Sequence, residues 1–404
     1  MAEESSQLNW RRNLYVVWLA EVLALMGFDA ALPFLPYYVQ ELGITGPGQV
    51  ELWTGLLYSA NAISMGIMGP IWGSLSDRLG RKLMLQRAMF GGALVLGAMA
   101  FVRNVHQLLV LRVLQGAVTG TVAASFTLVA AGTPGAMRAF ALGMLQMGVY
   151  LGESLGPAVG GFVADIWGYR ACFLITGVLL GAGGLLVAVM VREVRASLKK
   201  EGDSFLEGLR QVLCSPGVLS VFGMRLLISS SLRAVSPMLP LFVQSLVPAE
   251  AKIASTVGVI NSIYMATTAV GSVIAGRYGT RIGTRRLLLV CLVTNALCCA
   301  LQGFSNSPMQ LLLLRAVEGF AVGAILVALS TALADAAPDG RHGAVFGLQS
   351  SVVSLASAIG PTLGAAAAAS WGLRMPFGVA TLGFLLAIAT MMAVGRHGRA
   401  KEGG

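Results

Sequence analysis

Eight ionisable residues lie in stretches otherwise too apolar to hold a charge: Glu21, Asp29, Arg112, Glu153, Arg225, Arg233, Arg315 and Glu318. A carboxyl group withdrawn from bulk water takes up and releases a proton near neutrality, and a nearby guanidinium opposes the uptake. Facing lipid at mid-membrane, each charge would cost roughly 2.5–3.5 kcal/mol, and the set about 24 kcal/mol. A marginally stable fold could hardly carry that. The eight are therefore expected to be wet, paired or protonated around a central cleft. Asp29 is the candidate for the main proton-exchanging carboxyl. Glu21, with Glu318 as a second candidate, is suited to contact a cationic substrate. Arg315 and Glu318 stand three apart and can also simply pair with each other. Tyr58, Asn61, Gln115, Gln146, Tyr150, Asn261 and Tyr264 are further polar candidates for the cleft wall. His106, His342 and His397 fall in loops or a tail and are expected to be solvated. No Ser/His/Asp set, Walker-like sequence or Cys/His metal spacing appears. Hence no enzyme, metal, cofactor or ATP-driven pump is expected.

The elements holding these charges follow from composition. Of 404 residues, 56% are hydrophobic and only 11% charged, with mean hydropathy +0.77; soluble domains average about 25% charged. This excludes a soluble enzyme, a secreted module and a disordered chain, leaving an all-α integral membrane protein. A span needs about 20 apolar residues. Twelve such runs are predicted, at about 13–38, 52–74, 83–102, 108–131, 140–164, 170–191, 216–244, 253–276, 287–304, 309–334, 343–369 and 375–395. The start, Met1-Ala-Glu-Glu-Ser, lacks the basic region of a signal peptide, so the first run is expected to stay as a span. The net charge of +10 does not imply nucleic acid, because the basic residues sit in short loops. With the N-terminus cytoplasmic, nineteen Lys and Arg fall inside and only Arg103, Arg170, Lys252 and Arg374 outside. Both termini are thus expected in the cytoplasm of a multi-pass cell-membrane protein. The five cysteines fall mostly in apolar runs and predict no disulfide.

The sequence repeats itself at an offset of 203–204. Pro33-Phe-Leu-Pro36-Tyr-Tyr-Val-Gln40 matches Pro237-Met-Leu-Pro240-Leu-Phe-Val-Gln244, and Leu111-Arg112-Val-Leu-Gln-Gly116 matches Leu314-Arg315-Ala-Val-Glu-Gly319. Gly156-Pro157 matches Gly360-Pro361, and Trp167-Gly-Tyr-Arg170 matches Trp371-Gly-Leu-Arg374. The organisation read from this is an N-terminal six-helix half (1–192), a polar cytoplasmic linker (193–215) and a C-terminal six-helix half (216–404). Six spans per half make the repeats parallel, about an axis along the membrane normal. At offset 204, Glu21 corresponds to Arg225 and Asp29 to Arg233, so acids of span one and bases of span seven lie at matching depths. Glu21 and Asp29 are about 12 Å apart along their helix and point about 80° apart.

Residues 73–82, Gly-Ser-Leu-Ser-Asp-Arg-Leu-Gly-Arg-Lys, resemble the loop signature of the major facilitator superfamily. The resemblance implies two six-helix bundles around a central cavity. It also implies a gating loop at Gly73, Asp77, Arg78, Gly80, Arg81 and Lys82, with Asp77 as a latch. Gly73 is expected to permit close helix contact and Gly80 a left-handed turn. In the second copy, Thr280 replaces the Asp. Gly148, Gly152, Gly156, Pro157, Gly160 and Gly161 in span five resemble the motif of the twelve-helix drug/proton antiporter branch. Glycine at every fourth position makes a flat stripe that a partner helix can approach, and Pro157 can kink the helix. By the resemblance, Arg112 is the intramembrane arginine of proton coupling, and spans one and seven line the cleft. Arg225 and Arg233 then bind substrate or pair with Glu21 and Asp29. The function implied is proton-coupled efflux of drugs or other small lipophilic compounds by a monomer in the bilayer. The alternative is a transporter of one defined metabolite, such as a sugar, siderophore or organic anion.

Overall fold

The computed structural model describes residues 2–192, 216–248, 252–336 and 342–402, and the linker predicted at 193–215 lies outside the described residues. All regular structure among them is helical. The helices are α1 (Ala2–Ala31), α2 (Leu35–Glu41), α3 (Gln49–Leu79), α4 (Arg81–Met99), α5 (Val105–Val118), α6 (Thr121–Gly132), α7 (Arg138–Trp167) and α8 (Tyr169–Met190). After the linker come α9 (Pro216–Val235), α10 (Leu239–Leu246), α11 (Ile253–Ile282), α12 (Thr284–Gly303), α13 (Pro308–Ala336), α14 (His342–Trp371) and α15 (Met375–Glu402). Nine segments among the described residues are long and apolar enough to cross a membrane. The long helices α3, α4 and α7 complete the twelve expected spans. They fall short on hydropathy because they carry Glu51 and Asn61, Arg81 with Lys82 and Arg87, and Glu153 among glycines.

Three spans are interrupted. The first breaks at Leu32–Phe34, a turn of 3₁₀ helix around Pro33, and the seventh between α9 and α10, around Pro237. Proline removes an amide donor and clashes with the preceding turn, so the paired prolines dictate both breaks. The fourth span, predicted as one run, is two helices. Thr119 is extended and Gly120 adopts φ 119°, so α6 begins afresh at Thr121. The matching stretch of α13 runs through without a break.

The chain forms two compact units. One comprises Met1–Thr45, Ala60–Lys199 and Ala249–Ser262, the other Gly46–Ser59, Lys200–Pro248 and Ile263–Gly404. They follow the two sequence halves except that the first part of α3 and the first part of α11 are each assigned to the opposite unit. Packing repeats within them. In the first unit α1 packs on α7 and α8, and α4 on α8 and α5; in the second α9 packs on α14 and α15, and α12 on α15 and α13. The last spans of the halves are pinned alike: Arg170 donates to Ala100 O (3.0 Å) and pairs with Glu41 (2.9 Å), while Arg374 donates to Asn306 Oδ1 (2.9 Å). Cys172, Cys291, Cys298 and Cys299 are free and buried, and Cys214 lies outside the described residues. Large apolar side chains such as Leu94, Val178, Val273 and Leu382 are exposed on the helices. Water would disfavour such a surface, whereas hydrocarbon accommodates it.

The glycine stripe of α7 explains how closely α1 lies against it. A Cβ on Gly152 would come 2.7 Å from Leu25 Cβ, and one on Gly156 would come 2.7 Å from Met26 O and 2.8 Å from Asp29 Cβ. At Gly160 it would overlap the carbonyl of Ala30. The second unit uses the same device, with Gly360 against Arg233 and Gly364 against Ala234. α7 continues unbroken through Pro157. Gly160→Ala is expected to force α1 off α7 or bend one of them. Overpacking of this kind costs about 3 kcal/mol, which lowers the melting temperature by about 6–12 °C for a unit of this size. Thermal unfolding in detergent checks it; a change within error would mean the helices have room to separate.

Candidate functional site

In the first unit the acids of α1 meet α6 and α7. Glu21 is wholly buried and accepts a hydrogen bond from Thr121 Oγ1 at 3.1 Å. Its Oε2 is buried without a hydrogen-bond partner among the described residues. Thr121 opens α6 directly after the Gly120 break, so a helix N-terminus, the end that favours negative charge, lies at this carboxyl. Asp29 is half-buried and stands where Gly156 lets α7 touch α1. Glu153 stands on α7 between Gly152 and Gly156, the two glycines that press against Leu25 and Asp29 of α1. These neighbours are what its sequence position alone does not supply. The structure thus gathers three carboxyl groups around the α1–α7 contact.

Arg112, 1% exposed, donates from Nη1 to Gln115 Oε1 at 2.7 Å. Asn61 donates to the Arg112 carbonyl at 3.2 Å, tying α3 to α5. Gly116 makes this possible, since a Cβ there would overlap Asn61 O. The second unit holds the same arrangement with a carboxylate in place of the amide. Arg315 Nη1 donates to Glu318 Oε2 at 3.0 Å, and Gln302 Nε2 donates to the same oxygen at 2.7 Å. Cys299 Sγ lies 3.7 Å from Oε1, and the guanidinium stacks 4.6 Å from the Tyr264 ring. Glu318 is 1% exposed, so among the alternatives open to it the pairing with Arg315 is the one adopted here. Tyr264 belongs to the same cluster.

Of the remaining candidates, Arg225 is half-buried and Arg233 exposed on α9, with the Arg233 Cβ against Gly360. Tyr58, Gln146, Tyr150 and Asn261 are half-buried on α3, α7 and α11. In the loop signature, Gly80 adopts φ 102° and its counterpart Gly283 φ 85°, both open only to glycine at low cost. Lys82 Nζ donates to Ala188 O at 2.8 Å, and Arg81 lines a small cavity with Trp10, Asn13 and Arg192. Gly73 is exposed and, contrary to expectation, no described residue lies within 4 Å of where its Cβ would be. The contact at this end of α3 is made by its neighbour Trp72, whose indole donates to the Ala117 carbonyl of α5 at 2.6 Å and lies under the Arg87 guanidinium of α4. The side chains of Asp77 and Arg78 lie outside the described residues. Sequence reasoning missed Thr121 and the Gly120 break, for which Thr119-Gly120-Thr121 inside an apolar run was the only signal. It also missed Gln302 and Cys299, which join Glu318 from α12, and Asp165, described below.

Comparison with known proteins adds to this geometry. The family model described as Major Facilitator Superfamily matches residues 17–249 and 249–403. The chain is 34% identical over 387 residues to the multidrug resistance protein MdtG of Klebsiella pneumoniae (strain 342), covering 96% of this chain and 94% of that one. It is 35% identical over 387 residues to MdtG of Salmonella arizonae, covering 96% of each. Among solved structures, the nucleoside transporter NupG aligns with a TM-score of 0.80 at 13% identity, covering 94% of this chain and 98% of that one. A bacterial homolog of the human lysosomal transporter Spinster, inward-facing and unoccupied, aligns at 0.77 with 17% identity, covering 96% and 97%. At those identities the solved structures speak to the fold alone.

Proposed function

Because the chain belongs to the major facilitator superfamily, we propose that it exports drugs or other small lipophilic compounds across the cell membrane in exchange for protons. The names of its MdtG relatives support the substrate class. The observation that carries the coupling is the contact between α1 and the glycine stripe: Asp29 sits on the seam along which α1 and α7 touch. A change of charge at Asp29 alters the fit at a contact that leaves no spare room, so proton binding and helix position are linked. Glu21 and Glu153 add negative charge that a cationic substrate neutralises as well as a proton does. Proton and substrate then compete, and inward proton flow drives export by alternating access. Arg112, held by the uncharged Gln115 in the same unit, is the intramembrane arginine proposed to take part in proton coupling. Both termini are cytoplasmic in this reading, from the distribution of Lys and Arg.

Arg225 and Arg233 on α9 favour a second reading, a transporter of one anionic or zwitterionic metabolite, since they match in number the two acids of α1. Two measurements separate the readings. Sensitised cells expressing the protein should resist several chemically unrelated toxins, and purified protein should release protons when each is added. Resistance to none of the panel, with proton release only on adding a single metabolite, would establish the second reading.

A further inference from the structure

The first turns of α11 lie along α7 in a continuous seam within the first unit. At its far end the Asp165 carboxylate accepts from the amides of Ala254 (3.3 Å) and Ser255 (2.9 Å) and from the Ser255 hydroxyl. Next along, Gly161 leaves no room for a Cβ between itself and the Ala254 carbonyl (2.5 Å). Then Gly258 admits the Pro157 carbonyl, and Ser154 Oγ donates to Ser262 O at 3.3 Å. The seam ends there. From Ile263 onward α11 belongs to the second unit, where Gly319 and Gly323 of α13 press on the Tyr264 and Thr268 carbonyls and Gly271 presses on that of Phe320.

The repeat builds a second seam at an offset of 204, within the second unit. Gly48 meets Ala369, Gly55 meets Pro361 and Ala365, and Ser59 Oγ bonds to Ala358 O (2.6 Å) and Thr362 Oγ1 (2.7 Å). The counterpart of Asp165 is Ala369, which has no side-chain acceptor. Apart from the neutral hydrogen bonds of Ser154 and Ser59, the small residues of the two seams give close but non-directional contact. The bonds to Asp165 are directional and charge-assisted, which makes them roughly twice as strong as neutral ones.

We infer that Asp165 is a clasp that holds the outer half of α11 on α7 and must let go for the transporter to open to the outside. It rests on the proposed orientation only for the word outside; the clasp itself stands on the bonds. Past its first turns α11 is gripped by the glycines of α13. Along the first turns the small-residue contacts and the neutral Ser154–Ser262 bond are reinforced by charge-assisted bonds from Asp165 alone among the described residues, so the first turns are the part that can change partners. A hydrogen bond to a charged group is strong enough that losing the clasp is expected to raise the open population about tenfold or more.

The test uses the full-length protein in membrane vesicles with Ala254→Cys, a position 1% exposed. A membrane-impermeant maleimide reports its accessibility over the background of the protein with Ala254 retained. Adding Asp165→Ala is expected to speed labelling about tenfold or more, Asp165→Asn less. Val50→Cys, the matching position in the other seam, separates a gate from local fraying: it too should label faster with Asp165→Ala. Unchanged labelling at Ala254→Cys overturns the clasp, and so does faster labelling there without any change at Val50→Cys. If Asp165→Ala does not accumulate, Asp165→Asn and Ser255→Ala carry the same comparison. Faster labelling from the cytoplasmic face alone would refute the orientation and leave the clasp in place.

Discussion

Glu318→Ala is expected to cost about 3–5 kcal/mol of stability, the range for breaking a buried ion pair by removing one partner. The cost comes from what is left behind. Arg315 is 3% exposed, and its guanidinium would lose its carboxylate while still stacked on Tyr264. Gln302 would lose its acceptor as well. Glu318→Gln should cost less, because Gln115 shows that an amide at this place in the repeat can receive the arginine at 2.7 Å. Replacing both members by apolar residues of similar volume should recover most of the loss, since a buried pair is often no more stabilising than good apolar packing. Thermal unfolding of the three variants in detergent checks this. A single-variant loss under about 1 kcal/mol would mean that water reaches the cluster and that Glu318 is available to substrate after all.

Asp29→Asn is expected to abolish proton-driven export while leaving the protein folded and inserted. Asparagine matches aspartate in size, so the close approach of Gly156 is preserved, but it cannot exchange a proton. Substrate binding should survive in part through Glu21 and Glu153, so binding without pH-driven flux is the expected signature. Counterflow and pH-jump efflux in proteoliposomes read the two separately. Full efflux from Asp29→Asn would remove Asp29 from the coupling and shift it to Glu21, whose wholly buried carboxyl has one unpartnered oxygen among the described residues.

Much of this protein could be read without coordinates, because the bilayer imposes strict rules on sequence. A span must be long and apolar, so twelve runs announce themselves. Backbone groups must be satisfied internally, so those runs must be helices. A charge in such a run is costly enough to stand out, which singled out Glu21, Asp29, Arg112 and Glu318. The offset of 203–204 that relates Pro33 to Pro237 and Arg112 to Arg315 predicted two halves, and the helices of the two units pack in the same pattern. The spacing of Arg315 and Glu318 already allowed the pair that forms.

Contacts between distant parts of the chain were decided only in three dimensions. The break at Gly120 leaves no mark on hydropathy, because Thr-Gly-Thr sits in an apolar run either way; the left-handed turn brings the start of α6 to Glu21. Glu153 acquired its neighbours only when the glycine stripe drew α1 against α7. Asp165 looked like an ordinary polar residue at a helix end until α11 placed two amides and a hydroxyl in front of it. Periodicity and solvent cost act within one segment and are written along the chain. Which residue a charge finally meets depends on how closely two backbones approach, and that distance exists only after packing.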